Sequence, residues 1–304
     1  MQHLRFARLL ALVCSFGFLV SCSSFNKLQK TATDEQKYKA ALQYYEKKDW
    51  YHAGLLFEEL IPVLKGSTES EMAQFYHAYT QFNQQQYLLG STLFKKFYET
   101  FARSEHAQEA MYMYAVSLYK DAPDFNLDQS NTLTATSALQ DFINNYPDTQ
   151  YRDETTKMIL DLRQKLERKA YEKAKLYFKT SGFNIASYKS SVISINIFQR
   201  DFPDSPYNEE LAFLKVDAEY SLANNSLETK QKERYQEAMA YYQGFVDKYP
   251  NSKYLKQAEK MFESSQKEID RLTKLEVERE KERQLQKQQQ APANRPGKVT
   301  AARQ

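Results

Sequence analysis

A phrase of the form Phe-x-x-x-Phe/Tyr-x-x-Ser/Thr occurs four times in this chain, as Phe97 to Ser104, Phe142 to Thr149, Phe198 to Ser205 and Phe245 to Ser252. In three copies proline follows the second aromatic (Pro147, Pro203, Pro250), and Leu60, Leu64 and Ser67 form a fainter first copy. Successive copies start 37, 45, 56 and 47 residues apart. Internal periods of this size belong to stacked repeats, in which no unit buries its apolar face alone and neighbours bury it together. The expected fold class is therefore all-α, an α-solenoid of about five tetratricopeptide-like helix pairs with loops of unequal length. Proline lacks the N–H that a helix needs, so it ends each second helix, and the Asp or Asn with Ser or Thr that follows is expected to cap the next one.

The residues between the phrases fit that plan. Tyr38, Ala41, Leu42 and Tyr45 fall at helical spacing, as do Ala53, Leu56, Phe57, Leu60 and Leu64 after the break at Lys48-Asp49-Trp50. The second pair is expected at 71–83 and 87–101, the third at 107–119 and, after a loop from Lys120 to Asn131, in a helix containing Ala138, Phe142 and Tyr146. The fourth runs from Thr155 to Lys179 and returns through Phe198. The fifth comprises 208–224, a polar loop to Lys232, and 234–249. Leu255, Ala258, Phe262, Ile269 and Leu272 continue an apolar stripe that predicts a capping helix. With only seven glycines against 23 tyrosines and 19 phenylalanines, the composition suits aromatic-packed helices better than a sheet protein full of tight turns.

The N-terminus carries Arg5 and Arg8, an apolar run from Leu9 to Val20, and Leu19-Val20-Ser21-Cys22, the plan of a secretory leader over 1–21. A cysteine directly after Leu-Val-Ser resembles the lipobox of bacterial lipoproteins, which implies that Cys22 is acylated and becomes the first mature residue. Cys14 leaves with the leader, so the mature chain keeps no free thiol and no disulfide. Residues 22–33 read as a lipidated flexible tether, 34–275 as the repeat domain, and 276–304 as a charged helix extension followed by a disordered basic tail from Arg283. The formal charge of +3 falls to about +1 without Arg5 and Arg8, which gives no reason to expect nucleic acid as a partner.

Catalytic chemistry finds no foothold in this sequence. His3, His52, His77 and His106 are scattered without Cys partners, so no metal site and no cofactor are expected. There is no Gly-x-Ser-x-Gly elbow and no phosphate-binding loop. The chain reads as a non-enzyme whose business is its surface. The first helices of the first three pairs point twelve positions inward, and seven of these are aromatic. From them Tyr38, Tyr45, Phe75, Tyr79, Tyr112 and Tyr119 form a candidate groove for an extended peptide.

The lipobox, the five helix-pair units and the phrases Tyr146-Pro-Asp-Thr-Gln-Tyr151, Phe202-Pro-Asp-Ser-Pro-Tyr207 and Tyr249-Pro-Asn-Ser-Lys-Tyr254 together resemble the BamD family of outer-membrane assembly lipoproteins. The segment from Tyr171 to Phe183, followed by Ala186, is similar to that family's fourth repeat. Across residues 22–272 the resemblance implies a lipid-anchored, periplasm-facing subunit of the β-barrel assembly machinery. It further implies that N-terminal repeats receive unfolded outer-membrane proteins, while C-terminal repeats dock the POTRA domains of BamA. In the second unit Ala102 stands where the family has proline. A scaffold joining the envelope to peptidoglycan or the division machinery is the other reading, since related repeat modules carry the same Tyr-Pro-x-Ser phrase.

Overall fold

The computed structural model describes residues 25–290, and every regular element among them is helical, with no strand. A short helix, α1 (25–31), precedes α2 (Asp34–Glu46), α3 (Trp50–Leu60), α4 (Glu69–Asn83), α5 (Tyr87–Thr100), α6 (Ala107–Asp121) and α7 (Ser130–Asn145). Then come α8 (Arg152–Thr180), α9 (Ala186–Asp201), α10 (Asn208–Asn224), α11 (Glu228–Lys248) and α12 (Leu255–Gln290). From α2 to α7 and from α9 to α12 the helices pack chiefly on their neighbours in the chain, which is the tetratricopeptide-like arrangement expected from the sequence. The chain forms two compact units that divide between Leu166 and Glu167, within α8.

Local chemistry sets the helix ends. Thr33 accepts the N–H of Gln36 while Gln36 accepts the N–H of Thr33, a reciprocal capping box at the start of α2. Asp49 caps α3 by accepting the His52 N–H at 3.3 Å. Helix α3 stops at Leu60, before Pro62, instead of continuing to Leu64. At Gly90 an added Cβ would stand 3.4 Å from the Phe82 backbone, so a residue without a side chain is what lets α5 approach α4 this closely.

The recurring phrase makes the same connections in all four copies. The N–H of its second aromatic donates to the carbonyl of the first: Phe101 to Phe97, Tyr146 to Phe142, Phe202 to Phe198 and Tyr249 to Phe245, at 2.8–2.9 Å. This stop forms at Phe101 although Ala102 replaces proline, so the turn geometry does not depend on the imino ring. The Ser or Thr hydroxyl then accepts the N–H two residues on, at 3.0 Å from His106, 3.3 Å from Tyr151, 3.1 Å from Tyr207 and 3.2 Å from Tyr254. That differs from the expected cap, since the hydroxyl closes a turn ahead of the helix instead of reaching into its first turn. The aromatic so positioned folds back onto the first helix of the pair just completed. His106 stacks on Phe75 at 4.7 Å, Tyr151 on Tyr112 at 4.0 Å, Tyr207 on Tyr171 at 4.1 Å and Tyr254 on Phe213 at 4.7 Å. Each linker thus clamps the pair it leaves. Around the Tyr171–Tyr207 stack, Lys175 donates to both Tyr171 and Glu210, and Tyr171 donates to Glu210 at 2.8 Å.

Three expectations from the sequence need correction. Residues 23–33 are not all tether: α1 covers 25–31, and Phe25, 5% exposed, packs against Tyr44 and His52. Helix α11 begins at Glu228, so the polar stretch to Lys232 is helical, built from good helix formers with an acid in the first turn. Helix α12 runs to Gln290, beyond Arg283 where the tail was expected to lose structure. No Gly or Pro interrupts that stretch, and Lys232 and Arg279 pair with Glu276 and Glu228 to hold α12 beside α11. The leader, Cys22 and residues 291–304 lie outside the described residues.

Candidate functional site in unit 1

The six aromatics singled out from the sequence occupy two layers. Phe75 and Tyr112 are buried, at 4% and 6% exposure. Phe75 lies against Tyr79, Phe97 and His106, and Tyr112 is covered by Tyr151. Neither is open to a ligand, a correction to the groove expected above. The cause is the linker aromatic described above, which fills the space that helical spacing alone leaves vacant. Tyr38, Tyr45, Tyr79 and Tyr119 are half-buried, as suits a side chain with an apolar ring and a polar tip.

Two of the four hydroxyls have definite partners. Tyr79 donates to Glu109 of α6, and Tyr119 donates to Asp161 of α8 at 3.1 Å. The Tyr45 ring lies 4.6 Å from Tyr76 and 5.1 Å from Trp50, and Tyr38 meets Phe57 edge-on at 6.4 Å. Burial raises the phenol of Tyr45 to about 12. The same cause pushes up Tyr38, Tyr79 and Tyr119, with the hydrogen bonds donated to Glu109 and Asp161 adding to the last two. These four are therefore neutral hydrogen-bond donors across the physiological range. A face of aromatic edges and neutral hydroxyls is suited to holding polypeptide, with its mixture of apolar side chains and amide groups. Tyr76, Trp50, Tyr151 and Asp161 are members that the sequence reading missed. Tyr76 was legible as an aromatic one position after Phe75, whereas the others belong to different elements and only the fold brings them close.

Tyr79→Phe should lower the stability of unit 1 by about 1.5 kcal/mol in urea unfolding, because it removes a donor to a charged, half-buried carboxylate. An unchanged midpoint would mean that Glu109 is satisfied without it.

The Asp49–His52 pair, at 2.8 Å, is placed to cap α3 and to pack on Phe25. Among the described residues no group of His, Cys, Asp and Glu side chains is arranged to hold a metal ion, and no helix is long and apolar enough to cross a membrane. Unit 2 has a separate polar cleft of about 430 Å³, whose lining includes Lys189, Ile193, Glu219, Arg234, Glu237 and Tyr241.

Helix pairs stacked in chain order and clamped by aromatic linkers define a tetratricopeptide-like repeat protein. The chain belongs to the YfiO outer membrane lipoprotein family, which it matches over residues 30–186 and 181–300. It is similar to the outer membrane protein assembly factor BamD of Rickettsia prowazekii (strain Madrid E), with 24% identity over 235 residues, or 77% of this chain and 82% of that relative.

Proposed function

We propose that this chain is a non-enzymatic subunit of the outer-membrane β-barrel assembly machinery, anchored by an acylated Cys22 and facing the periplasm. In this reading residues 1–21 are the leader removed before Cys22. Unit 1 receives unfolded outer-membrane proteins on the face of Tyr38, Tyr45, Tyr79 and Tyr119, with Phe75 and Tyr112 as its packed floor. Unit 2 docks the POTRA domains of a BamA-like barrel protein. The observation that carries the reading is membership of an outer membrane lipoprotein family across nearly the whole helical region, together with a relative named as an assembly factor. The half-buried tyrosines supply a peptide-compatible surface in support.

The test is affinity capture from detergent-solubilised envelope, with a Cys22→Ala chain as control. The expected result is a large barrel protein with POTRA domains at a fixed ratio to the captured chain. Its absence, with peptidoglycan-linked or division proteins in its place, would replace the reading with that of an envelope scaffold. Cys22→Ala should also abolish the acyl mass and the recovery of the chain in the outer-membrane fraction, because the thiol that carries the acyl chains is gone. Unchanged membrane retention on fractionation would sink the anchor.

A further inference from the structure

We infer that the end of unit 1 formed by the α2–α3 and α4–α5 turns rests directly on phospholipid headgroups, with Tyr51, Leu88 and Leu89 at the contact. The inference rests on the acylation of Cys22 in the reading above, and adds which surface the anchor presses to the membrane. Its starting point is Phe25, the first of the described residues. Phe25 is 5% exposed, with its ring 4.3 Å from His52 in the first turn of α3 and 5.7 Å from Tyr44 in the last turn of α2. The chain therefore enters the fold at the α2–α3 turn. Cys22 lies three residues before Phe25, and three Cα–Cα steps span at most about 11 Å. An acyl chain on Cys22 would hold this turn within that distance of the bilayer surface.

The surface at that end fits lipid. The α4–α5 turn lies beside the α2–α3 turn, since the Gln84 side-chain amide donates to the Trp50 carbonyl at 3.3 Å. Tyr51 is 61% exposed, Leu88 64% and Leu89 47%, in the first turns of α3 and α5. Neither first turn carries an acid, whereas α2 and α4, which begin at the opposite end, carry Asp34, Glu35, Glu69 and Glu71 there. The stretch 83–90, Asn-Gln-Gln-Gln-Tyr-Leu-Leu-Gly, has no charge at all. Lys27, Lys47 and Lys48 are exposed around the entry point, against Glu46 and an Asp49 already engaged by His52. Exposed apolar tips ringed by lysine suit an interface in which rings and leucines dip among headgroups while ammonium groups meet phosphate. The α6–α7 connection, with Asp121, Asp124 and Asp128, is acidic and marks where this surface ends.

The test uses the full acylated lipoprotein in vesicles of phosphatidylethanolamine and phosphatidylglycerol. With Cys22 acylated, Tyr51→Cys, Leu88→Cys and Lys65→Cys each supply a unique thiol for an environment-sensitive fluorophore. All three positions are exposed, so labelling leaves the packing alone, and Lys65 lies at the opposite end of unit 1. The expected result is loss of emission at 51 and 88, but not at 65, when brominated phospholipids are included. Equal emission at all three sites, in chains whose acyl mass is confirmed, overturns the inference alone. Labels that are shielded only in native envelope, and not in vesicles, assign this end to a protein partner and also overturn it. Absence of the acyl mass from chains purified from the envelope overturns the anchor and the inference with it.

Discussion

Replacing Phe142 with Ala is expected to cost unit 1 about 3–5 kcal/mol of unfolding free energy, the range for deleting a fully buried aromatic ring. Phe142 has no exposed surface, and its ring lies 5.4 Å from Tyr112, 5.6 Å from Tyr146 and 6.3 Å from Tyr151. Its carbonyl also receives the N–H that ends α7. Deleting the ring opens a hole under the Tyr112–Tyr151 stack that relaxation can fill only by moving the linker, and the linker is where the next helix takes its direction. Because repeat stability is largely a sum of intrinsic terms and neighbour interfaces, the loss spreads to both sides of the substituted pair. Tyr151→Phe is the companion measurement. It keeps the stacked ring and removes only a hydroxyl, so it should change the urea midpoint little, whereas Tyr151→Ala should lower it clearly. If Phe142→Ala cost less than about 1 kcal/mol, well below the range for buried aromatics, the phrase would be a spacer and not a clamp.

The order of helices could be read from the sequence because apolar spacing and the repeated phrase are both local signals. What could not be read was how the linker folds back. Helical spacing marks Phe75 and Tyr112 as residues of an aromatic stripe, yet it carries no information about which residue from another element covers them. Tyr151, Tyr207 and Tyr254 were visible as a repeated aromatic at the end of the phrase. His106, in the same role opposite Phe75, was hidden because histidine does not register as an aromatic in an apolar pattern. The error at the N-terminus has a similar origin. In 23–33 Phe25 and Leu28 are the main apolar residues, too few to define a period, and α1 exists because the α2–α3 pair offers Phe25 a site. At the other end, the charged run of α12 looked unsupported, but its ion pairs to α11 lie 44 and 51 residues away in the chain.

Glu219→Gln is expected to remove a pH dependence from the stability of unit 2, and the sign follows from burial. Glu219 lies on α10 at 4% exposure and lines the polar cleft. Burial pushes its carboxyl up, the neighbouring Glu237 pushes it further, and Arg234 and Lys189 pull it back, leaving it at about 7. Of the other charged groups lining the cleft, Lys230 pairs with Glu233, while Glu237 accepts the Tyr241 hydroxyl at 2.7 Å. The unfolded chain releases this proton near the ordinary glutamate value of about 4.3, so between there and about 7 the folded state holds more protons than the unfolded one. Stability is therefore full at low pH and declines as pH rises through that window. The amide of glutamine keeps the shape and carries no charge to desolvate. At pH 8 the variant should exceed the parent chain by on the order of 2 kcal/mol, less than the full shift implies because the cleft is open to water, and at about pH 4, below the window, the two should nearly agree. Urea titrations at the two pH values decide it, and parallel profiles would show that Arg234 and Lys189 already compensate the charge.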